Sequence, residues 1–592
     1  MNALQYPFDG AEILQKKRAL KKELLKKDGL TDKKIAIVTG STVGDIRNIL
    51  ELFLLDSGIR PQFFEGGYGL YFEDVVFDDG RLANFAPDFL YVHTSVHNIL
   101  NWPSPADSDE TASAKLQAET QRLDALWDAA ARLGCPVIVN NFEYPSYRTF
   151  GNMDAWDNRG RVAFVRALNN HTAARARSSK NFYIHDLCYL AASFGTDNWC
   201  DIATWYNYKY ACSVSHIPDL CHSLAGIIKS LLGRTKKALT LDLDNTLWGG
   251  VIGEVGPEGI ELGSETPTGL AYADFQRYLK MLAERGILLT VASKNETEPA
   301  QSGFSRADSP LAVKDFLGFE ANWGPKSLSI EKISTELNIL PESFVFMDDN
   351  PAERAEVTGR IPTVIAPPVG APENSIALLD KAGYFETLSL SADDVKRNDM
   401  YRDNAERTKL QASAGDYTSY LKSLEMTAYI GPFADDQLER VTQLINKTNQ
   451  FNLTTRRYTP AEVTACAQSA SCITLAGRLL DRFGDNGLTS AIIATIADGV
   501  ATIDLWIMSC RVFKRQFEYA MFDELVLQAK KQGVTKLVGH WYPTAKNLLV
   551  EDFYATIGFD LVQQSDNEKR FELDLIKDIL ASRNEAILVE RT

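Results

Sequence analysis

Short apolar runs alternate with stretches whose apolar residues recur every three or four positions, and the alternation begins near the N-terminus of the 592-residue chain. Ahead of it, Ile13, Leu20 and Leu24 lie near helical spacing among lysines, and Gly29 stands where a helix would stop. That pattern predicts an amphipathic helix with a solvated basic face. From Lys34, "KIAIVTGS" reads as a strand and "VGDIRNILELFLLDSG" as a helix. "DFLYVHT", "ETQRLDALWDAAARLG", "PVIVNNFE", "RGRVAFVRALNNHTAARA" and "NFYIHDL" continue the alternation, which predicts one parallel α/β domain over residues 1–232.

The rhythm restarts at Ala238. Strand "ALTLDLDN", a helix around "GLAYADFQRYLKMLAERG", strand "ILLTVASKN", strand "SFVFMDDN" and helix "PAERAEV" predict a second, doubly wound domain over 233–394. A charged helix, "NDMYRDNAERTKLQ", then leads into successive strands "CITLAGRLLDRFG", "TSAIIATIADG" and "VATIDLWIMSC". Helix "QFEYAMFDELVLQAKKQG", strand "VTKLVGHWY" and helix "AKNLLVEDFYATIG" follow, so 395–592 reads as a third domain of α+β type.

Composition narrows the partners. A formal charge of -16 lacks the basic footprint that nucleic acid or an anionic membrane surface demands, so neither is expected as a partner. The N-terminus has no signal-peptide core and no long apolar span occurs, which places the protein in the cytoplasm as an expectation. Eight cysteines without a CxxC pair predict reduced thiols, with neither a zinc site nor a disulfide framework.

In an open parallel sheet, ligands lie beyond the carboxyl ends of the strands, and the polar residues there in the middle domain form a coherent set. Asp242 and Asp244 follow "ALTL", Ser293, Lys294 and Asn295 follow "ILLTVA", Asp348 and Asp349 follow "SFVFM", and Lys326 lies in "NWGPKS". Carboxylates from two strand ends suit Mg2+, a hard ion that prefers oxygen ligands. One Asp can attack phosphorus, a second can move the proton, and a Lys with a Ser hydroxyl can hold phosphoryl oxygens.

In this order the residues resemble the four motifs of the haloacid dehalogenase (HAD) superfamily. The resemblance implies Asp242 as nucleophile and Asp244 as acid/base, with Asp242, Asp244, Asp348 and Asp349 around the metal. Thr246, Ser293, Lys294, Asn295 and Lys326 become the phosphate-binding set. Between Leu247 and the next helix, "WGGVIGEVGPEGIEL" has room for a hairpin-like flap and not for a cap domain, so an open site is expected. Trp248 is there either a turn residue or a substrate contact.

The longer strings "LDLDNTLWGGVIGE", "SKNE", "NWGPKS", "FMDDNPAERAEV", "TNQFNLTTRRY" and "SCRV" resemble the FkbH-like family from about residue 236 to 565. That resemblance implies a Mg2+-dependent glyceryl transferase/phosphatase that takes 1,3-bisphosphoglycerate, removes its phosphates and loads glyceryl onto an acyl carrier protein thiol. Members often carry Cys before the second-motif Ser, where this chain has Ala292; Cys510 is the remaining candidate for an acyl-carrying thiol. The third domain resembles the N-acetyltransferase (GNAT) fold, with Lys514 and Gln516 where glycines of a pyrophosphate-cradling turn would stand. Arg511, Lys514, Asn547 and Tyr554 are its candidate carrier contacts, and Arg456 and Arg457 of "TTRRY" either bind an anion or form ordinary salt bridges. The first domain is like an SGNH-type hydrolase in outline. "TGST" lacks the Asp of a GDS block, so Ser41 and His216 are expected to be relics and the domain inactive. Two other readings stay open: an acyltransferase acting on an amino sugar, with an accessory phosphatase, and a non-catalytic scaffold that binds a carrier protein.

Overall fold

Buried β-rich runs and amphipathic helices take the places their periodicities predict in the computed structural model, which describes residues 3–544, 546–576 and 583–592. The chain divides after Leu231 into two compact units, Met1–Leu231 and Leu232–Thr592. No helix is long and apolar enough to cross a membrane among the described residues.

The first unit is built on five parallel strands, β1 (Thr31–Thr39), β2 (Ile59–Glu65), β3 (Phe89–His93), β4 (Val137–Asn140) and β5 (Phe182–His185), in the order β2-β1-β3-β4-β5. β3 and β4 are buried throughout, as continuous apolar runs covered on both faces must be. Helices Gly44–Asp56 and Ile217–Leu231 pack together, and helix Gly10–Leu24 joins them through buried Ile13 and Leu24. The sequence predicts that last helix from its apolar spacing, and Asp9 caps it by accepting from the Ala11 and Glu12 amides.

The second unit contains two sheets. The smaller has four parallel strands, β6 (Ala238–Leu241), β7 (Leu288–Ser293), β8 (Gly318–Ala321) and β9 (Phe344–Met347), in the order β8-β7-β6-β9. The larger comprises β10 (Met426–Gly431), β11 (Phe451–Asn452), β12 (Cys472–Asp481), β13 (Gly484–Ala497), β14 (Val500–Met508), β15 (Lys536–Trp541), β16 (Asp560–Ser565), β17 (Glu568–Asp574) and β18 (Ile587–Arg591). It runs β16-β17-β15-β14-β13-β12-β10-β18, with β11 on β14. The helix Arg397–Ser413 follows the smaller sheet, and its buried Arg407 pairs with Asp481 of β12 at 2.7 Å.

β14 and β15 pair in parallel only from Val500 to Ile503 and then diverge. The wedge between them is filled by the chain itself: β11 pairs with Ile507 and Met508, the Leu453 amide donates to Trp506 O, and the Tyr542 amide donates to Leu453 O. Asn547 locks this plug, donating to Asn452 O at 2.9 Å and to Tyr542 O at 3.0 Å while accepting from the Thr544 amide. The helix expected over "AKNLLVEDFYATIG" is consequently broken into a turn, Leu548–Val550, and a short helix, Phe553–Thr556. Tertiary hydrogen bonding of Asn547 overrides the local apolar spacing there. Beside it, β15 needs glycine at 539, because a Cβ would stand 2.5 Å from the Tyr554 ring.

Candidate active site

β6 ends at Leu241, and the next residue, Asp242, continues the sheet by donating its amide to Met347 O of β9 at 2.9 Å. Asp242 and Asp348 therefore leave adjacent strands at the same level, with Asp349 one residue on. Each of the three offers a carboxylate oxygen within 4.8 Å of the others. Lys326, the first residue of the helix Lys326–Glu336, lies buried between two of them, 2.8 Å from Asp242 Oδ2 and 2.6 Å from Asp348 Oδ2. Burial works against its charge, but Asp242 and Asp348 prevail and raise its pKa. Burial, then the charge of Asp242, pushes Asp348 up to about 6 and raises Asp349. One oxygen is left over: Asp242 Oδ1 is buried and has no hydrogen-bond partner. A buried orphan carboxylate oxygen in a ring of three carboxylates with a single ammonium fits a hard divalent cation.

Asp244, expected around the metal, is held apart from that group. Its Oδ1 accepts from Trp248 Nε1 at 2.9 Å and from the Ile252 amide at 3.1 Å, and its Oδ2 accepts from Asn295 Nδ2 at 2.9 Å. The local chain explains this: Asn245 adopts φ 54°, and the next residues turn tightly enough for Asp244 and Trp248 to form a parallel bridge. Gly249 pairs with Glu261 across the flap, whose interior is a kinked helix, Ile252–Gly259, where a hairpin-like segment was expected. Trp248 is fully buried against Phe304, which excludes the substrate-contact reading.

The other expected phosphate contacts divide. Ser293 ends β7, buried, with its hydroxyl accepting from Asn295 at 3.2 Å. Thr246 is buried and its hydroxyl accepts the Asp349 amide at 3.2 Å, tying the first motif to the fourth. Asn295 is engaged with Asp244 and Ser293, and Lys294 points its ammonium to Glu353 at 2.5 Å, so neither is a free phosphate ligand in this arrangement. Arg354 was not singled out from sequence; it donates to the backbone oxygens of Asp348 (2.5 Å) and Asp349 (2.8 Å) and so fixes the fourth motif. Its place one turn into the helix after "MDDN" was the available signal.

Of the residues proposed in the third domain, Asn547 and Tyr554 lie in its interior, Cys510 and Arg511 are half-buried, and Lys514 is exposed. Burial raises the Cys510 thiol, with Lys237 and Arg511 only partly opposing, and its backbone oxygen accepts from Asn338 Nδ2 at 3.1 Å. Such a thiol is a poor nucleophile. Arg511 contacts the Met400 sulfur and the Ser509 hydroxyl. Asn547 and Tyr554 are fully buried, which corrects their reading as carrier contacts. Lys514 and Gln516 both take positive φ, 63° and 64°, so the turn keeps a glycine-like backbone without glycine. Arg457 is bound to the backbone oxygens of Ile445 and Thr448, and Arg456 lies 3.9 Å from Glu462; both are structural contacts.

In the first unit, Ser41 Oγ is buried without a partner and no hydrogen bond joins it to His216 among the described residues. His216 instead lies 3.7 Å from Asp219, packs against Phe194 at 4.2 Å between centroids, and lines a cavity of about 780 Å³ with Cys200, Ser213 and Ser215.

The profile of the family described as FkbH, N-terminal domain, matches residues 46–229, within the first unit. No curated protein matches the chain. Among solved structures, the chain is similar to the N-terminal part of protein BF1531 from Bacteroides fragilis, containing a phosphatase domain and complexed with Mg. Identity there is 27%, with a TM-score of 0.59, covering 63% of this chain and 99% of that one. Shorter matches at 13% and 14% identity are the ribosomal-protein-S18-alanine N-acetyltransferase of Escherichia coli and the PaiA N-acetyltransferase of Thermoplasma acidophilum. These cover 27% and 25% of this chain and 98% and 99% of theirs, at TM-scores of 0.21 and 0.19. Residues 46–229 thus match the FkbH N-terminal domain, and the chain is similar to a structure that contains a phosphatase domain.

Proposed function

We propose that the protein is a Mg2+-dependent HAD-type phosphatase and acyl transferase that acts on a small phosphorylated hydroxy acid of the 1,3-bisphosphoglycerate kind. The observation that carries the reading is the buried, unpartnered Asp242 Oδ1 among Asp348, Asp349 and Lys326. Asp242, Asp348 and Asp349 would hold Mg2+, as suits a chain similar to a phosphatase domain complexed with Mg. When bound, the ion neutralises negative charge where two anions must meet.

The protein's own residues supply the rest. Asp242 attacks phosphorus, and the bond from phosphorus to the leaving oxygen breaks as Asp244 gives that oxygen a proton. Asp244 then takes a proton from water, whose oxygen attacks the phosphoryl group on Asp242, and inorganic phosphate leaves. Lys326 and Ser293 balance charge on the phosphoryl oxygens as it shifts. The acyl group passes to a carrier-protein thiol: the thiolate attacks the acyl carbon, a thioester forms and the C–O bond to phosphate breaks. The half-buried, raised thiol of Cys510 supports direct transfer to the carrier rather than through this chain.

The test is phosphate release with Mg2+ present. Asp242→Asn removes the nucleophile and is expected to abolish release; undiminished turnover would refute the assignment. Mass spectrometry of an acyl carrier protein incubated with enzyme and 1,3-bisphosphoglycerate tests the second half, a glyceryl thioester being the expected product.

A further inference from the structure

The first unit carries a second cluster of chemistry unrelated to the carboxylates. Its strand order places the topological switch between β1 and β3, since the chain leaves β1 to one side for β2 and returns on the other for β3. In such sheets the crevice beyond those carboxyl ends is where ligands lie. Both rims of that crevice bear basic groups. The turn Val96–Asn98 after β3 presents His97. On the other rim, Thr42 holds the backbone of Lys209 above the end of β1, its amide donating to Lys209 O at 2.9 Å and its hydroxyl to Tyr208 O at 2.6 Å. Arg161 opens the helix Arg161–Ser178 that follows β4.

These groups are seated on aromatic faces. The His97 ring lies flat on Trp205, 3.7 Å between centroids and 9° between planes. Lys209 Nζ stands 5.3 Å from the Trp205 ring and 5.9 Å from that of Tyr206. The Arg161 guanidinium is 3.7 Å from the Trp102 centroid and 4.5 Å from that of Tyr147. Aromatic seating fixes long side chains in advance, so little ordering remains when they meet a ligand.

What these cations lack is an ion pair: Asp154, whose charge acts on Arg161, spends its carboxylate on the Thr149, Phe150 and Val162 amides. In a chain with 78 acidic residues against 62 basic ones, carboxylates are in excess. Elsewhere in this unit Lys17 pairs with Asp45, Lys33 with Asp88, Arg122 with Glu119 and Arg159 with Asp157. Among the described residues, neither Arg161 nor Lys209 forms an ion pair, and Arg161 Nε is buried without an acceptor. Burial, and then the charges of Arg161 and Lys209, hold the His97 imidazole down at about 4, so the ring is neutral near pH 7 and the two long side chains carry the charge.

We propose that His97, Arg161 and Lys209 form a binding site for a small oxyanion, the phosphate or carboxylate of a metabolite-sized molecule, at the carboxyl end of this sheet. The guanidinium fork suits both groups, and the ammonium adds a point charge. The site is independent of the phosphatase reading.

The whole chain, in Mg2+-free buffer, would be titrated with inorganic phosphate, acetate and glycerol, followed by calorimetry and by tryptophan fluorescence, to which Trp205 contributes. Saturable binding of an anion, none of glycerol, and a weakening of about tenfold in both Lys209→Gln and Arg161→Gln are expected. Tighter phosphate identifies a phosphorylated ligand, and tighter acetate a carboxylated one. No saturable anion binding, or binding that both substitutions leave unchanged, would overturn the proposal. Should either variant lose its circular dichroism signal, His97→Gln supplies the same comparison.

Discussion

The indole Nε1–H of Trp248 donates to Oδ1 of Asp244 at 2.9 Å, four residues away in the chain and inside the same turn. With Asn295 on the other oxygen, it keeps the carboxylate proposed as the acid/base out of the group formed by Asp242, Asp348 and Asp349. The role is one of positioning, since Trp248 is buried away from solvent.

Proton donation matters most when the leaving oxygen is basic. Trp248→Phe and Asn295→Ala are therefore expected to lower kcat on an alkyl phosphate by about tenfold to a hundredfold, with KM little changed, and to spare an aryl phosphate with a good leaving group. Parallel kinetics on the two substrates check this. Equal losses on both would mean that the two side chains act only on the fold.

Lys326 neutralises two buried carboxylates at once. Lys326→Met leaves them uncompensated and is expected to cost about 3 to 5 kcal/mol in Mg2+-free buffer. Part of that loss should return with millimolar Mg2+, because a cation restores the missing charge. Thermal melts with and without Mg2+ measure both effects, and a deficit insensitive to Mg2+ would argue against a cation among these carboxylates.

Glu518 lies in the first turn of the helix Phe517–Lys531 with Oε2 buried and unpartnered, and burial raises its pKa to about 7. Unfolded, the group titrates near 4.5. Below that pH both states are protonated and there is no penalty. The cost to the fold grows as pH rises from 4.5 and is complete above about 7, at about 3 kcal/mol. Glu518→Gln should thus melt higher than the parent at pH 8 and match it at pH 4.5, which a melting series across that range would show.

The wedge between β14 and β15 is occupied by β11 and locked by Asn547. A pantetheine chain entering there would have to displace buried Phe451 and Leu453. Millimolar coenzyme A is expected to leave the melting temperature unchanged, and Asn547→Ala to destabilise the chain by about 1 to 3 kcal/mol by freeing the plug's buried hydrogen-bonding groups. A coenzyme A-dependent rise in the melting temperature would refute the closed wedge.

Periodicity and the polar residues after each apolar run were enough to read the parallel sheets and to bring Asp242, Ser293, Asp348 and Asp349 to strand ends. Both signals are local: a strand buried on two faces must be apolar throughout, and the residue after it must emerge at the sheet edge. Where side chains point once they emerge is not local. Asp244 and Lys294 satisfy the same motif spacing as their neighbours, yet Trp248 and Asn295 draw one away from the carboxylate group and Glu353 draws the other to the surface. Asn547 and Tyr554 look polar and available in sequence; bonding to Asn452 of β11 buries the first, and packing on Phe559 and Phe571 buries the second. Arg161 and Lys209 lie 48 positions apart, and only the strand order brings their loops to one crevice, where neither forms an ion pair among the described residues. Burial pattern and strand-end chemistry were thus determined by the sequence itself, while hydrogen bonds between distant segments, formed only in the packed chain, decided which polar groups are free to react.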